Sequence, residues 1–176
     1  MSASWVEMRF LGGVASLQDI ELRLSTTSVS IRSRHGRTDL EDPSICGTSH
    51  GIRVWVNPDE EVVVVGARQS DVVYSVLLPK GLVVQVDHLL RHDEPDLRFL
   101  SVRPAPDGSL LVLYERGILC VASDGSRRWH RLHDDISARF ISVDDDVVVI
   151  ETQWPMELAG RRTYYRLVDG GDLPRI

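Results

Sequence analysis

The residue types able to do chemistry in this chain fall into a few short stretches. Gly47-Thr48-Ser49-His50-Gly51 fits G-x-S-x-G, in which a sharp strand-to-helix turn exposes a serine nucleophile. That chemistry needs a helix behind the serine to help hold an oxyanion, whereas here the next stretch, Ile52 to Val56, alternates as a strand. The better reading is a glycine-rich loop leading into that strand. His88 and His92 stand four apart, a spacing that on a helix turns both imidazoles to one side, as a metal pair requires. No Glu follows His88, Pro95 limits a helix here to about a turn, and a third ligand, Asp93 or His133, would have to come from elsewhere. A solvated polar loop is the better reading, and His130 reads as a packed or exposed strand residue. Asp144-Asp145-Asp146 lacks the alternating spacing that aims carboxylates at one calcium ion, so it reads as a tight turn with its charges in water. There is no phosphate-binding loop, dinucleotide fingerprint or Cys–His nucleophile pair, and no carboxylate pair with a predictable acid–base geometry. The expectation is therefore no catalytic residue, no metal and no cofactor.

Composition bounds the elements that must position these residues. A chain of 176 residues, 43% hydrophobic and 26% charged, has the makings of one globular domain spanning 1–176. Aromatics supply only 6%, so core volume must come from Val, Leu and Ile. With 20 Lys and Arg against 26 Asp and Glu, the formal net charge is -6. That balance speaks against binding a nucleic-acid backbone or an anionic membrane surface, both of which need an excess of cations. Cys46 and Cys120 lie far apart and form no zinc-type spacing; two free thiols in a reducing compartment are favoured over one long-range disulfide. The first eleven residues show no basic-then-apolar leader, and the most apolar run, Val62 to Val65, is far too short to span a bilayer. A soluble, cytoplasmic protein is expected.

Periodicity predicts strands almost throughout. Trp5 to Phe10, Asp19 to Leu24, Ser28 to Arg32 and Ile52 to Val56 alternate apolar and polar residues, some only approximately. Val62 to Val65 and Val147 to Ile150 are continuous β-branched runs that suit strands buried on both faces. Turn chemistry separates the strands at Asn57-Pro58-Asp59, Pro79-Lys80-Gly81, Pro106-Asp107-Gly108, Asp124-Gly125 and Asp169-Gly170-Gly171. Asp87 to Arg91 and His133 to Ala138 are the stretches with room for a helical turn. The strands also repeat. Arg98-Phe99-Leu100-Ser101-Val102 recurs as Arg139-Phe140-Ile141-Ser142-Val143, and Arg53 and Arg9 precede them at similar steps. Gly36, Gly81, Gly125 and Gly170 mark a late hairpin in each unit. Both markers give a period of roughly 44 residues, with approximate units 5–46, 52–90, 98–134 and 139–176. Gly12 to Gln18 and Leu40 to Gly51 read as irregular and make the first unit the weakest.

Four short antiparallel strands at this period form the pattern of a β-propeller blade. The stretch from Gly117 to Trp129 resembles the quinoprotein-type blade signature, matching it at Gly117, Ala122, Asp124, Gly125 and Trp129. The resemblance implies four blades of a small propeller, with Trp129 docking between blades. The second unit lacks the Trp, the fourth ends near its Asp-Gly turn, and no cofactor-binding residues of quinoprotein enzymes are recognisable. A four-blade ring, an incomplete ring completed by a dimer, and a β-sandwich or barrel are the alternatives.

In a blade arrangement, the connections from each fourth strand to the next first strand share a face with the second-to-third connections. That face would carry Asp93, Glu94, Asp134 and Asp135 around the apolar anchors Trp154 and Met156. An acidic rim around apolar anchors suits the docking of a basic protein partner. The expected function is a non-catalytic interaction module, monomeric or homodimeric, with the profile of an immunity protein that neutralises a basic toxin. The alternative is a small-molecule or metal-binding propeller with hydrolase or lectin-like activity near His88, His92 or His133.

Overall fold

The computed structural model describes residues 5–46, 51–68, 70–90, 100–133, 137–153 and 159–174. The chain opens with β1 (Val6–Met8) and then forms a meander of β2 (Val14–Leu17), β3 (Ile20–Leu24), β4 (Ser28–Ser33) and β5 (Gly36–Glu41). A one-turn helix, α1 (Pro43–Cys46), leads to a second meander, β6 (Ile52–Asn57), β7 (Val62–Ala67), β8 (Val72–Leu77) and β9 (Leu82–His88). The third is β10 (Leu100–Pro104), β11 (Leu110–Tyr114), β12 (Gly117–Val121) and β13 (Arg127–Leu132). The last is β14 (Ser137–Val143), β15 (Val147–Gln153) and β16 (Arg161–Arg166). The result is all-β: four antiparallel sheets, I to IV, of three to five strands each, with no closed barrel. β1 adds to sheet II beside β6, in register Val6 opposite Val56.

The alternation of side chains along a strand explains how the sheets stack. All six residues of β7 are buried, and they divide by parity. Val63 and Val65 point into a cluster shared with sheet I, around Leu22, Val29, Ile31 and Ile45. Val62 and Val64 point the other way, into a cluster with Leu110, Val112, Tyr114 and Leu119 of sheet III. The same division recurs on β11, whose Leu111 and Leu113 join Val148, Ile150 and Tyr165 of sheet IV in a third cluster. Sheets II and III are thus apolar on both faces and sandwiched, which is why their central strands are continuous Val and Leu runs. Among the described residues no apolar cluster joins sheet I to sheet IV. Their outer faces carry Glu21, Arg23 and Asp39 at one end of the row and Arg139, Glu151 and Arg162 at the other.

Turn glycines set the distance between neighbouring sheets. Gly36, Gly81, Gly125 and Gly170, the repeat markers, all have positive φ; the first three lie in third-to-fourth strand turns and Gly170 in the turn after β16, the third and last strand of sheet IV. Two of them also need to lack a side chain. A Cβ on Gly125 would lie 2.2 Å from Ser75 Oγ of sheet II, and one on Gly170 would lie 2.7 Å from the Trp129 ring of sheet III. Trp129 is buried between sheets III and IV, where its Nε1 donates to Leu167 O at 2.7 Å. Trp5 performs the equivalent service between sheets II and III, donating to Gly108 O at 2.8 Å.

Several expectations need correction. Trp5 to Phe10 does not open the first unit, because β1 pairs with β6 and Arg9 and Phe10 lie beyond its end. The first strand of sheet I is Val14–Leu17, inside the stretch read as irregular; a turn at Gln18, with φ +53, lets it double back onto β3. Leu40 and Glu41 likewise complete β5. The predicted helical turns are strand or irregular where described: Asp87 and His88 end β9, Leu89, Leu90 and His133 are irregular, and Ser137 and Ala138 begin β14. Helical turns form elsewhere among the described residues, as α1 and as a 3-10 turn at Leu78–Lys80, the latter within the stretch read as the Pro79-Lys80-Gly81 turn.

Candidate functional site

The chain direction within each meander brings seven hairpin turns, and the turn that follows β16, to one end of the sheets. Cross-links between neighbouring sheets tie them together: Arg34 pairs with Glu61, and Asn57 Nδ2 donates to Ser123 O at 3.2 Å. These turns carry ten carboxylates, Asp19, Asp59, Glu60, Glu61, Asp107, Asp124, Asp144, Asp145, Asp146 and Asp169, against Arg34 and Lys80. At the opposite end the described connections are balanced, with Asp42, Asp71 and Glu115 against Arg9, Arg68 and Arg116.

Some of these carboxylates build the turns. Asp124 Oδ1 accepts from the Ser126 amide at 2.9 Å and its hydroxyl at 2.6 Å, and these bonds hold the carboxyl below the usual range. Burial pushes the Asp107 carboxyl upward, but bonds from Ser109 and Arg128 outweigh it and the net direction is down. Asp59, Glu60 and the Asp144-Asp145-Asp146 run are exposed and enter no ion pair among the described residues. They form the part of the surface available to a partner.

A second constellation lies at the outer edge between sheets II and III. Asp87 of β9 accepts from His130 Nδ1 of β13 at 3.0 Å, and the buried Tyr114 hydroxyl of β11 donates to His130 Nε2 at 2.5 Å. Arg127 Nη1 reaches Asp87 Oδ2 at 3.3 Å. Burial lowers the His130 pKa, and the neighbouring Asp87 carboxylate offsets that only in part. A Tyr–His–Asp chain resembles a proton relay, but both imidazole nitrogens are engaged and the hydroxyl has no exposed surface. Its work is mechanical: it clips β9 of one sheet to β11 and β13 of the next. Beside it runs an open groove of about 630 Å³, lined by His88, Leu90 and the length of β13.

The residues expected to bind a partner, Asp93, Glu94, Asp134, Asp135, Trp154 and Met156, lie outside the described residues, as do Ser49 and His92. His133 follows the end of β13, and His88 ends β9 of sheet II. Among the described residues no three His, Cys, Asp or Glu side chains come together as a metal-binding group, and no helix is long and apolar enough to cross a membrane. Cys120 is a buried free thiol whose pKa burial raises to about 11, which keeps it protonated and unreactive. Sequence reading used the hairpin acids as turn markers and overlooked their sum. It had no means of finding the His130 contacts, which join three separate strands. No protein-family model and no curated protein matches the chain.

Proposed function

We propose that this chain is a non-catalytic protein-docking module for a basic partner, of the kind an immunity protein presents to a cationic toxin in the cytoplasm. One observation carries the proposal: the turns at the hairpin end hold ten carboxylates against Arg34 and Lys80, an acidic excess that persists when Arg128 and Arg166 of the adjoining strands, paired with Asp107 and Asp169, are included, while the described connections of the other end are balanced. Such a field raises the association rate of a basic protein and orients it before contact. Asp93, Glu94, Asp134 and Asp135, with Trp154 and Met156, lie in the chain between β9 and β10, β13 and β14, and β15 and β16, the connections of the opposite end, and would form a separate docking face there rather than extend this one. The sheets are propeller-like blades in this reading. Their 44-residue spacing and the Trp129 wedge support that view, and the three inter-sheet clusters favour the incomplete ring over the closed one.

The test begins with affinity capture from a lysate of the source cell at low and high salt, then measures association rates with the recovered partner. Reversing Asp59, Glu60 and Asp145 to lysine is expected to slow association about tenfold and flatten its salt dependence. Reversing Asp93, Glu94 and Asp134 tests the other loops separately. Unchanged rates in both sets would end the docking proposal.

A further inference from the structure

Sheets III and IV leave a groove of about 220 Å³ between β16 and the end of β13. Tyr165 lies at its base, within the apolar joint between these sheets, its ring 6.4 Å from that of Trp129. The residue is 3% exposed, yet its hydroxyl is not sealed from the groove and engages no hydrogen-bond partner among the described residues. A polar group buried to that extent ordinarily has a partner. Burial, and after it the Asp172 carboxylate, pushes the phenol up to about 12, so at neutral pH the hydroxyl keeps its proton and can donate it.

Strand alternation places the residues around that hydroxyl. Arg161, Thr163 and Tyr165 fall on one face of β16, and Asp172 stands opposite Tyr165 in the segment that returns beside the strand. Arg161 lies about 13 Å along the strand from Tyr165. Arg161 and Asp172 both act on the phenol, and neither side chain enters an ion pair among the described residues. Arg131 acts on it as well, but its guanidinium already donates to the Gly170 and Asp169 carbonyls. Leu132, 56% exposed, adds an apolar wall.

We propose that this groove is a binding site for a free aliphatic α-amino acid. Its carboxylate would lie on Arg161 and accept from the Tyr165 hydroxyl, its ammonium group would lie on Asp172, and its side chain would rest on Leu132. Two unpaired charges of opposite sign, with an unpaired donor beside them, select a zwitterion. An anion alone would leave Asp172 uncompensated, and a cation alone would leave Arg161 so. None of the hairpin-end carboxylates takes part, so this site and the docking face stand or fall separately.

The test titrates the full chain, labelled for NMR, with L-leucine and with N-acetyl-leucine amide, which keeps the side chain and loses both charges. Leucine is expected to shift the Thr163 and Tyr165 amides and to bind about tenfold or more tightly than the capped compound. Arg161→Gln and Asp172→Asn, both at exposed positions, are each expected to weaken leucine binding about tenfold. Tyr165→Phe keeps the ring against Trp129 and should cost about threefold. Absent leucine binding, shifts that bypass the groove, equal binding of the capped compound, or unchanged leucine affinity in both charge variants would each overturn the proposal.

Discussion

His130 shows how one side chain couples charge to the joint between two sheets. Its folded-state pKa lies below the ordinary histidine value near 6.5, so the folded protein binds fewer protons than the unfolded chain just below that pH. The sign follows: this contribution to stability is full above about pH 6.5 and is lost as pH falls through the folded value. The turn carboxylates Asp107 and Asp124 are also held low, but from an ordinary value of 3.8, so their contribution is lost in a separate window at lower pH. Urea unfolding at about pH 7 and about pH 5 should therefore show wild-type stability dropping across that interval. His130→Phe should remove most of the drop, at a cost of about 2 kcal/mol at neutral pH because Tyr114 and Asp87 lose a buried partner. An identical pH slope in the two proteins would show that the imidazole is not the titrating joint.

At the scale of elements, the two-residue period carried most of what could be read in the sequence. The runs Ile52 to Val56, Val62 to Val65 and Val147 to Ile150 each lie inside an observed strand, β6, β7 and β15, and the Asp-Gly and Pro-Lys-Gly stretches fall between strands or just after the last. Sheet I was harder to read: Gly12, Gly13 and Gln18 all take positive φ, and such tight reversals interrupt the period that would announce β2. The placement of β1 could not be read at all, since its pairing with β6 spans about fifty residues and leaves no local signature. The same limit hid the candidate site, because charge at a common end is a property of eight turns rather than of any motif. The double-sided burial of central strands makes a quantitative claim. Leu111 on β11 is fully buried between sheets III and IV, so Leu111→Ala should cost about 3 kcal/mol in urea unfolding. Leu82 on the outer strand β9 is exposed, and Leu82→Ala should stay within about 0.5 kcal/mol. Comparable losses at both positions would contradict the stacked arrangement.

For the whole molecule, the decisive fact is that, among the described residues, each sheet packs on its sequence neighbours and three apolar joints hold four sheets. A row of units coupled to nearest neighbours behaves as a one-dimensional array, in which the middle is stabilised from two sides and each end from one. Sheets II and III belong to two joints each, whereas sheets I and IV expose charged outer faces built from Arg23, Glu21, Arg139 and Glu151. The protection of backbone amides should follow that order. Native-state hydrogen exchange is expected to find the slowest amides on β7, β11 and β12, close to the global unfolding free energy. Those of β3, β4, β15 and β16 should open about ten- to a hundredfold more often through separate unfolding of the end sheets. The gradient also discriminates between architectures. In a monomeric open row both ends stay labile at every protein concentration. A dimer that completed the ring would bury the outer faces of sheets I and IV, so their protection would rise with concentration while that of β7 and β11 held constant. Uniform protection at all concentrations would mean that sheets I and IV are joined after all, and the open row would have to be abandoned.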